Sequence, residues 1–484
     1  MTAPVTTVRL LPPTIAGDTV TFAWEATPTL RHQTGSAFWF RYEGIDLAWF
    51  AQELFLEIFL ALELRVLATQ GGPVRLILPS PVPAPVADFW RGYNDAWNVD
   101  IAPISAATTY DPWAASPSFR PRRHRRAVFF GGGKDSTLVS QIWREADGAD
   151  EVLLVRGIYF TEPARARLES LHDRTDRLIL APNRASFGFA SACYWTSYPP
   201  SVAPPARPHL ELHSAGALPL LLAHGVETAA FCRESGSYLT TISGDESPLR
   251  PTGMRSSPEW LASQSRHYQQ RLGVPLEITN PVWPASYSAV YHTLARRYPD
   301  AARQTVSCPQ IEGHRWCMTC SKCDRSFGYL MGAGIDDPGY DYTHALSRGP
   351  YNTRVLSFIP DTLVPRTNLR WADGMPPGSM YFAEWCDNIA RIDPDAWASR
   401  LSPAAFANLL RLKASFGNTR CPQSLQVSRT ALDRLPTSVR ETFAPVYRSH
   451  LDPVDDTPDY RDPAGVLVRY PWHLPVTIPP GMPT

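Results

Sequence analysis

Ala127-Val128-Phe129-Phe130-Gly131-Gly132-Gly133-Lys134-Asp135-Ser136-Thr137 is the stretch that decides the fold. Its apolar residues read as a buried strand, its glycines as a tight turn, and Ser136 to Ala146 as an amphipathic helix. Glycines between a strand and a helix let the backbone aim N–H groups at an anion, and the helix adds its positive N-terminal end. Lys134 reads as a mobile point charge for phosphate oxygens, and Ser136 and Thr137 as hydrogen-bond donors. Asp135 is odd at a phosphate site unless a divalent cation sits nearby or the residue orients the loop. The bland alternative is a glycine turn that holds no ligand. A Walker loop is excluded, because Asp135 follows Lys134 and Val128 stands where its first glycine belongs. The spacing of a dinucleotide fingerprint is missing as well.

Outward from the loop, strands and helices alternate. Val152 to Phe160 reads as a second strand, Ala164 to His172 as a helix and Arg177 to Ala181 as a third strand. A helix follows over Leu210 to His224, with Pro219 as a possible kink. Glu227 to Cys232 reads as a fourth strand, Trp260 to Leu272 as a helix, Leu276 to Thr279 as a fifth strand and Ser286 to Tyr298 as a helix. Such alternation predicts an α/β fold with a mostly parallel sheet wound on both faces. Ligands of such sheets sit at the C-terminal strand ends. Cys232 and Glu234 fall at one of those ends and are the candidate acid/base groups, with Cys386 or His213 on another side. The long segments Tyr194 to Pro208 and Glu234 to Ser257 are too large for simple connections and read as functional or disordered loops, near enough to the strand ends to cover a substrate.

At 484 residues the chain is too long for one ordinary core. Residues 1–125 read as an N-terminal α+β accessory domain, with strands at Thr19 to Trp24 and Val74 to Leu78 and a long apolar helix at Ala48 to Ala68. Residues 126–345 carry the glycine loop, and 346–484 form a C-terminal extension ending in a proline-rich tail. The chain's 46 basic residues balance its 46 acidic ones, so no global field favours nucleic acid or an anionic membrane. Arg120 to Arg126 is a local basic run, either a solvated linker or a phosphate-facing segment. Leu54 to Ala68 is too short, and too interrupted by Glu57 and Glu63, to span a bilayer. No signal peptide is evident, which predicts a cytoplasmic chain with reduced thiols. Oligomeric state is not legible.

Cys308, Cys317, Cys320 and Cys323 form C-x8-C-x2-C-x2-C, a spacing that suits one tetrahedral zinc closed by four thiolates. An iron–sulfur cluster or unligated thiols are the other readings. Cys193, Cys232, Cys386 and Cys421 are scattered and read by default as packing residues, with Cys232 the exception because it ends the fourth strand. His209 and His213 share a helical face but lack a third metal ligand.

Gly131 to Ser136 resembles the PP-loop of the ATP pyrophosphatase superfamily, Ser-Gly-Gly-x-Asp-Ser, matching five of its six positions and departing at Gly131. That resemblance implies a five-stranded parallel PP-loop (adenine nucleotide alpha hydrolase-like) sheet. It also implies a site of Gly131, Gly132, Gly133, Lys134, Asp135, Ser136 and Thr137 that binds ATP with Mg2+, cleaves it to AMP and pyrophosphate, and adenylates a substrate oxygen. Phe130 to Ser136, Arg315-Trp316-Cys317 and Cys320-Ser321-Lys322-Cys323 further resemble the UDP-N-acetylmuramoyl-L-alanyl-L-glutamate epimerases of peptidoglycan synthesis. The implied substrate is a nucleotide-linked or peptide acid; the candidate catalytic set is Lys134, Asp135 and Glu234, which match the family's motifs, with Cys232 added from its place at the end of the fourth strand. Phe231-Cys232-Arg233-Glu234-Ser235 departs from that family's Gly-Asn-Glu-Ser pattern, and Phe382-Ala383-Glu384-Trp385-Cys386 matches its Phe-Glu-Cys run imperfectly. An adenylating ligase and a non-catalytic nucleotide-binding module remain the alternatives.

Overall fold

The structure, a computed structural model, describes residues 5–30, 36–114, 124–159, 189–197, 214–233, 257–307, 316, 318, 321–337, 339–347, 380–455, 460–463, 465 and 467–468. The first part of the chain supplies β1 (Thr6–Leu10), β2 (Thr14–Ala16), β3 (Thr19–Thr27), β4 (Ala37–Tyr42), α1 (Gln52–Ala68), β5 (Val74–Pro83), α2 (Ala84–Tyr93) and β6 (Val99–Ser105). Helix α1 is apolar on every side and is buried continuously from Leu54 to Leu64, as such a helix must be. Glu57, which reads as an interruption in sequence, lies fully buried within it. Its carboxylate accepts hydrogen bonds from Trp90 Nε1 at 3.1 Å, from His267 Nε2 at 2.7 Å and from the Tyr110 hydroxyl. Those donors offset the desolvation of a buried carboxylate. Among the described residues no helix is long and apolar enough to cross a membrane.

The second part supplies β7 (Arg126–Phe129), α3 (Lys134–Asp147), β8 (Val152–Tyr159), β9 (Ala190–Thr196), α4 (Leu218–Ala223), β10 (Thr228–Ala230), α5 (Pro258–His267), β11 (Glu277–Thr279) and α6 (Tyr287–Arg297). All described strands but the short tail pairs join one 11-stranded sheet, in the order β11-β10-β7-β8-β9-β4-β3-β1-β5-β6 with β2 on β3. The fold is thus mixed α/β with a large, mostly parallel sheet. From β11 to β9 every neighbour is parallel, and counted along the chain from β7 the order is 3-2-1-4-5. The strands alternate between two cores: Ala127, Leu153 and Ala229 pack with α1, α4 and α5, whereas Val128, Leu154 and Ala230 pack with α3 and α6. Helices therefore cover both faces, as a parallel sheet requires.

The third parallel strand is β9. The expected strand at Arg177 to Ala181 and the helix at Ala164 to His172 lie outside the described residues. Strand β9 pairs with β8 on one side and, antiparallel, with β4 on the other. The sheet therefore runs through the boundary expected near residue 125 without a break. Of the expected helix over Leu210 to His224, Leu218–Ala223 forms α4, residues 215–217 are turn and residues 210–213 lie outside the described residues; Pro219 sits in the first turn of α4. A first-turn proline lacks only an N–H that has no intrahelical partner.

The described C-terminal helices include α7 (Ser321–Gly332), α8 (Tyr342–Ser347), α9 (Met380–Arg391), α10 (Pro403–Phe416) and α11 (Thr437–His450). Helices α7 and α9 meet at Gly328, where a Cβ would stand 2.8 Å from Trp385 Cδ1. Only glycine permits that approach. After Leu451 the chain pairs twice, Asp452–Val454 with Gln426–Ser428 and Tyr460–Arg461 with Leu467–Val468.

His292 on α6 is buried, and its Nε2–H donates to Asn388 Oδ1 at 3.0 Å. The amide is oriented by donating through Nδ2 to Ser288 Oγ at 2.6 Å and to Glu384 O at 2.8 Å. Burial pushes the imidazole down to about 4, so it folds neutral. Between the unfolded value near 6.5 and about 4, the unfolded chain binds a proton that the folded one does not, and stability falls as pH falls. Urea unfolding should show the wild type losing on the order of 2–3 kcal/mol more than His292→Gln across that window. Parallel pH profiles for the two proteins would contradict this.

Candidate functional site

Strand β7 ends at Phe129, and Phe130 N–H still pairs with Val155 O of β8 at 2.8 Å. The turn into α3 then depends on Gly132, whose φ of +74° lies in the left-handed region. Gly131 and Gly133 are less constrained. A Cβ on Gly131 meets nothing within 4 Å, and one on Gly133 would make ordinary contact with Ser307 Oγ at 3.4 Å. Gly133 caps α3 with its backbone alone, accepting from Thr137 N–H at 3.0 Å and from the Ser136 hydroxyl at 3.2 Å. The loop thus opens a 14-residue helix at the C-terminal edge of the sheet. It lies at the switch point between β7 and β10, where the strand order reverses and doubly wound sheets bind ligands.

Lys134 is not a mobile charge. It is 1% exposed. Its ammonium lies 3.7 Å from the Tyr287 ring centroid and contacts both oxygens of Asp135, at 2.6 and 2.7 Å. Tyr287 is the first residue of α6, so the ring is delivered by the helix packed beside α3. Asp135 therefore orients the lysine and keeps the first turn of α3 close to neutral. Across the switch point, Cys232 and Arg233 follow β10, and Asn280 follows β11. Burial, and secondly the Asp135 carboxylate, push the Cys232 thiol well above its ordinary range. At neutral pH Cys232 is a thiol and a proton donor, not a thiolate base. The Tyr447 hydroxyl of α11 donates to Pro281 O at 3.0 Å, closing the far side of the same strand ends.

The segment leading to the cysteine cluster touches the loop directly: Val306 N–H donates to Gly132 O at 2.9 Å, and Ser307 stands beside Gly133. Cys308, Cys317 and Cys320 lie outside the described residues, as do Glu234, His209 and His213. Cys323 is described and buried near the start of α7. Among the described residues no group of His, Cys, Asp or Glu is placed to hold a metal ion.

Other expected groups sit elsewhere. Arg125 and Arg126 lie at the start of β7, the end remote from the glycines. There Arg126 pairs with Asp147 at 3.0 Å and donates to Thr228 Oγ1 at 2.8 Å, and Arg125 pairs with Asp147 at 3.1 Å. Neither therefore faces the glycine loop, while residues 120–123 lie outside the described residues. Cys386 is fully buried on α9, its thiol pushed up by burial and then by Asp462 and Cys421. Glu384, four residues after the start of α9, is also fully buried and accepts from Ser288 N–H at 2.6 Å in the first turn of α6. A carboxylate is stabilising there. Sequence reading missed Asn280, Tyr287, Ser307 and Tyr447. The two tyrosines and the serine among these carry no local motif, and only Ser286, the N-cap that begins the helix of Tyr287, offers a signal.

No family profile matches this chain, and a search of curated proteins returns no match.

The loop geometry separates its glycines. Gly132→Ala should destabilise by about 1–2 kcal/mol, the usual cost of left-handed backbone for an L-residue. Gly131→Ser, which enters open space, should change stability by roughly 0.5 kcal/mol or less. Denaturant midpoints of the two variants check this, and equal losses would rule out the described turn.

Proposed function

We propose that this chain binds ATP at Gly131–Thr137 and uses it to adenylate a carboxylate, releasing pyrophosphate and then AMP. The observation that carries the reading is the left-handed turn at Gly132, which opens α3 at the sheet's switch point. First-turn N–H groups and a helix N-terminus are suited to phosphate oxygens. The resemblance of Gly131 to Ser136 to the PP-loop supports α,β cleavage over other phosphate chemistry. Asp135 offers the loop's one carboxylate, and both its oxygens already face Lys134. Mg2+ in this reading is held chiefly through the phosphates and water, its common mode, and offsets charge on the leaving pyrophosphate.

In the proposed reaction the carboxylate oxygen attacks the α-phosphorus and the bond to the bridging oxygen breaks. Adenylation removes the negative charge that makes an α-hydrogen of a carboxylate hard to take. One group then removes that proton and another returns a proton to the opposite face. Cys232, held as a thiol, and Glu234 are the groups proposed for one of those two sides. Hydrolysis frees AMP and the epimer. The substrate class is a peptide or nucleotide-linked acid ending in an amino acid, in line with the resemblance to the muramoyl-dipeptide epimerases.

With ATP, Mg2+ and UDP-N-acetylmuramoyl-L-alanyl-L-glutamate, Lys134→Ala and Asp135→Ala should lower AMP formation by about 100-fold or more. In heavy water the product should gain deuterium at Cα. Accumulation of AMP with no deuterium and an added amine would make the protein a ligase. Wild-type turnover in both variants would remove the loop from the reaction.

Cys308, Cys317, Cys320 and Cys323 are proposed to hold one structural zinc. Metal analysis of protein purified without chelator should find about one zinc per chain, and its removal should lower the melting temperature. An iron–sulfur absorption band, or no metal, would refute the assignment.

A further inference from the structure

The parallel ladder between β10 and β11 ends at Ala230 and Thr279, and Phe231 N–H adds one more rung by donating to Thr279 O at 2.8 Å. Backbone pairing then gives way to a side chain. Asn280 Oδ1 accepts from Arg233 N–H at 3.3 Å, and Asn280 Nδ2 donates to Arg233 O at 2.8 Å. A side-chain amide carries the same donor and acceptor as a peptide group, so Asn280 prolongs the sheet past its last paired strand residue. It is fully buried, which restricts its rotamer, while Arg233 is half-buried. Cys232 is clasped between the Phe231 rung and the Arg233 pair, with its thiol donating back to Ala230 O at 3.7 Å. The clasp sits beside the glycine loop, since β10 and β7 are neighbours.

We infer that Asn280 is a positioning residue of the nucleotide site: by holding both main-chain polar groups of Arg233 it sets the Cys232–Arg233 turn against the glycine loop. The inference rests on the ATP reading above. It acts through the turn and assigns no chemistry to Asn280 itself. Asp is nearly isosteric with Asn and preserves packing, but it replaces the donor to Arg233 O with an oxygen. Asn280→Asp and Asn280→Ala therefore fail alike if the hydrogen bonds matter, whereas a merely space-filling role tolerates Asp.

The test uses the full chain. AMP formation is measured at varied ATP with saturating Mg2+ and acid substrate, and the rate at which iodoacetamide labels Cys232 is followed by peptide mass spectrometry with and without ATP. Both variants should unfold cooperatively yet lose roughly 10- to 100-fold in kcat/KM, the scale of a misplaced binding group. ATP should slow Cys232 labelling in the wild type and not in the variants. Wild-type kcat/KM and wild-type protection in Asn280→Asp would overturn the inference while leaving the ATP reading in place. A wild type that neither forms AMP nor shows protection of Cys232 by ATP would overturn both. If the two variants fail to fold, Asn280→Ser, which keeps a small polar group too short to reach Arg233 O, is read by the same criteria.

Discussion

Strand β7 must fill two apolar cores at once. Its successive residues Ala127 and Val128 face opposite layers, and the parallel strands beside it do the same. A strand buried on both faces cannot turn back on itself in a hairpin, because its parallel neighbours need crossovers that place helices above and below. The two halves of the sheet wind outward from β7 in opposite directions, so no crossover covers its C-terminal end. That end is where Gly132 turns left-handed and α3 begins. The location of the candidate site is therefore a consequence of double burial, with the glycines adapting the backbone to it.

Much of this half is legible in sequence because the signals are local. The apolar run before the glycines, the amphipathic stretch after them and the alternation over Glu227 to Tyr298 each report on consecutive residues. The continuity of the sheet is not legible in the same way. Strand β9 reads Ala-Ser-Ala-Cys-Tyr-Trp-Thr, and its aromatic end abuts a proline-rich stretch that looks like loop. What makes it a strand is partnership on both edges, with β8 153 to 159 and with β4 40 to 42, a long-range condition that propensity does not encode. The buried Glu57 illustrates the same limit. Its charge argues against a buried helix until Trp90, Tyr110 and His267, distant in sequence, are seen to satisfy it.

The site was legible as a motif and not as an electrostatic arrangement. Lysine beside glycines suggests a charge reaching for phosphate. In the fold, Lys134 is instead fixed over the Tyr287 ring and against Asp135. A cation held in that way gives up side-chain entropy before any ligand arrives, which favours a preorganised field over a flexible tether. Asp135, odd when the loop is read alone, becomes the partner that permits a buried ammonium. The same carboxylate helps keep Cys232 protonated across the switch point. One charge pair thus influences both the glycine-loop side and the strand-end side of the candidate site.

The C-terminal region reaches this arrangement through α6. Gly328 lets α7 and α9 pack closely, which places Glu384 on α9 at the first turn of α6, where it takes the Ser288 N–H. The same turn carries Tyr287 beneath Lys134. Asn388, one turn further along α9, ties Ser288 and His292 to the same helix pair. A residue that caps α6 therefore also fixes the platform of the loop lysine, although it lies about 250 positions away in the chain. Neither Glu384 nor Asn388 belongs to a recognisable motif, because each acts through the placement of another residue. Helix α9 thus acts as part of the scaffold that sets the lysine's position.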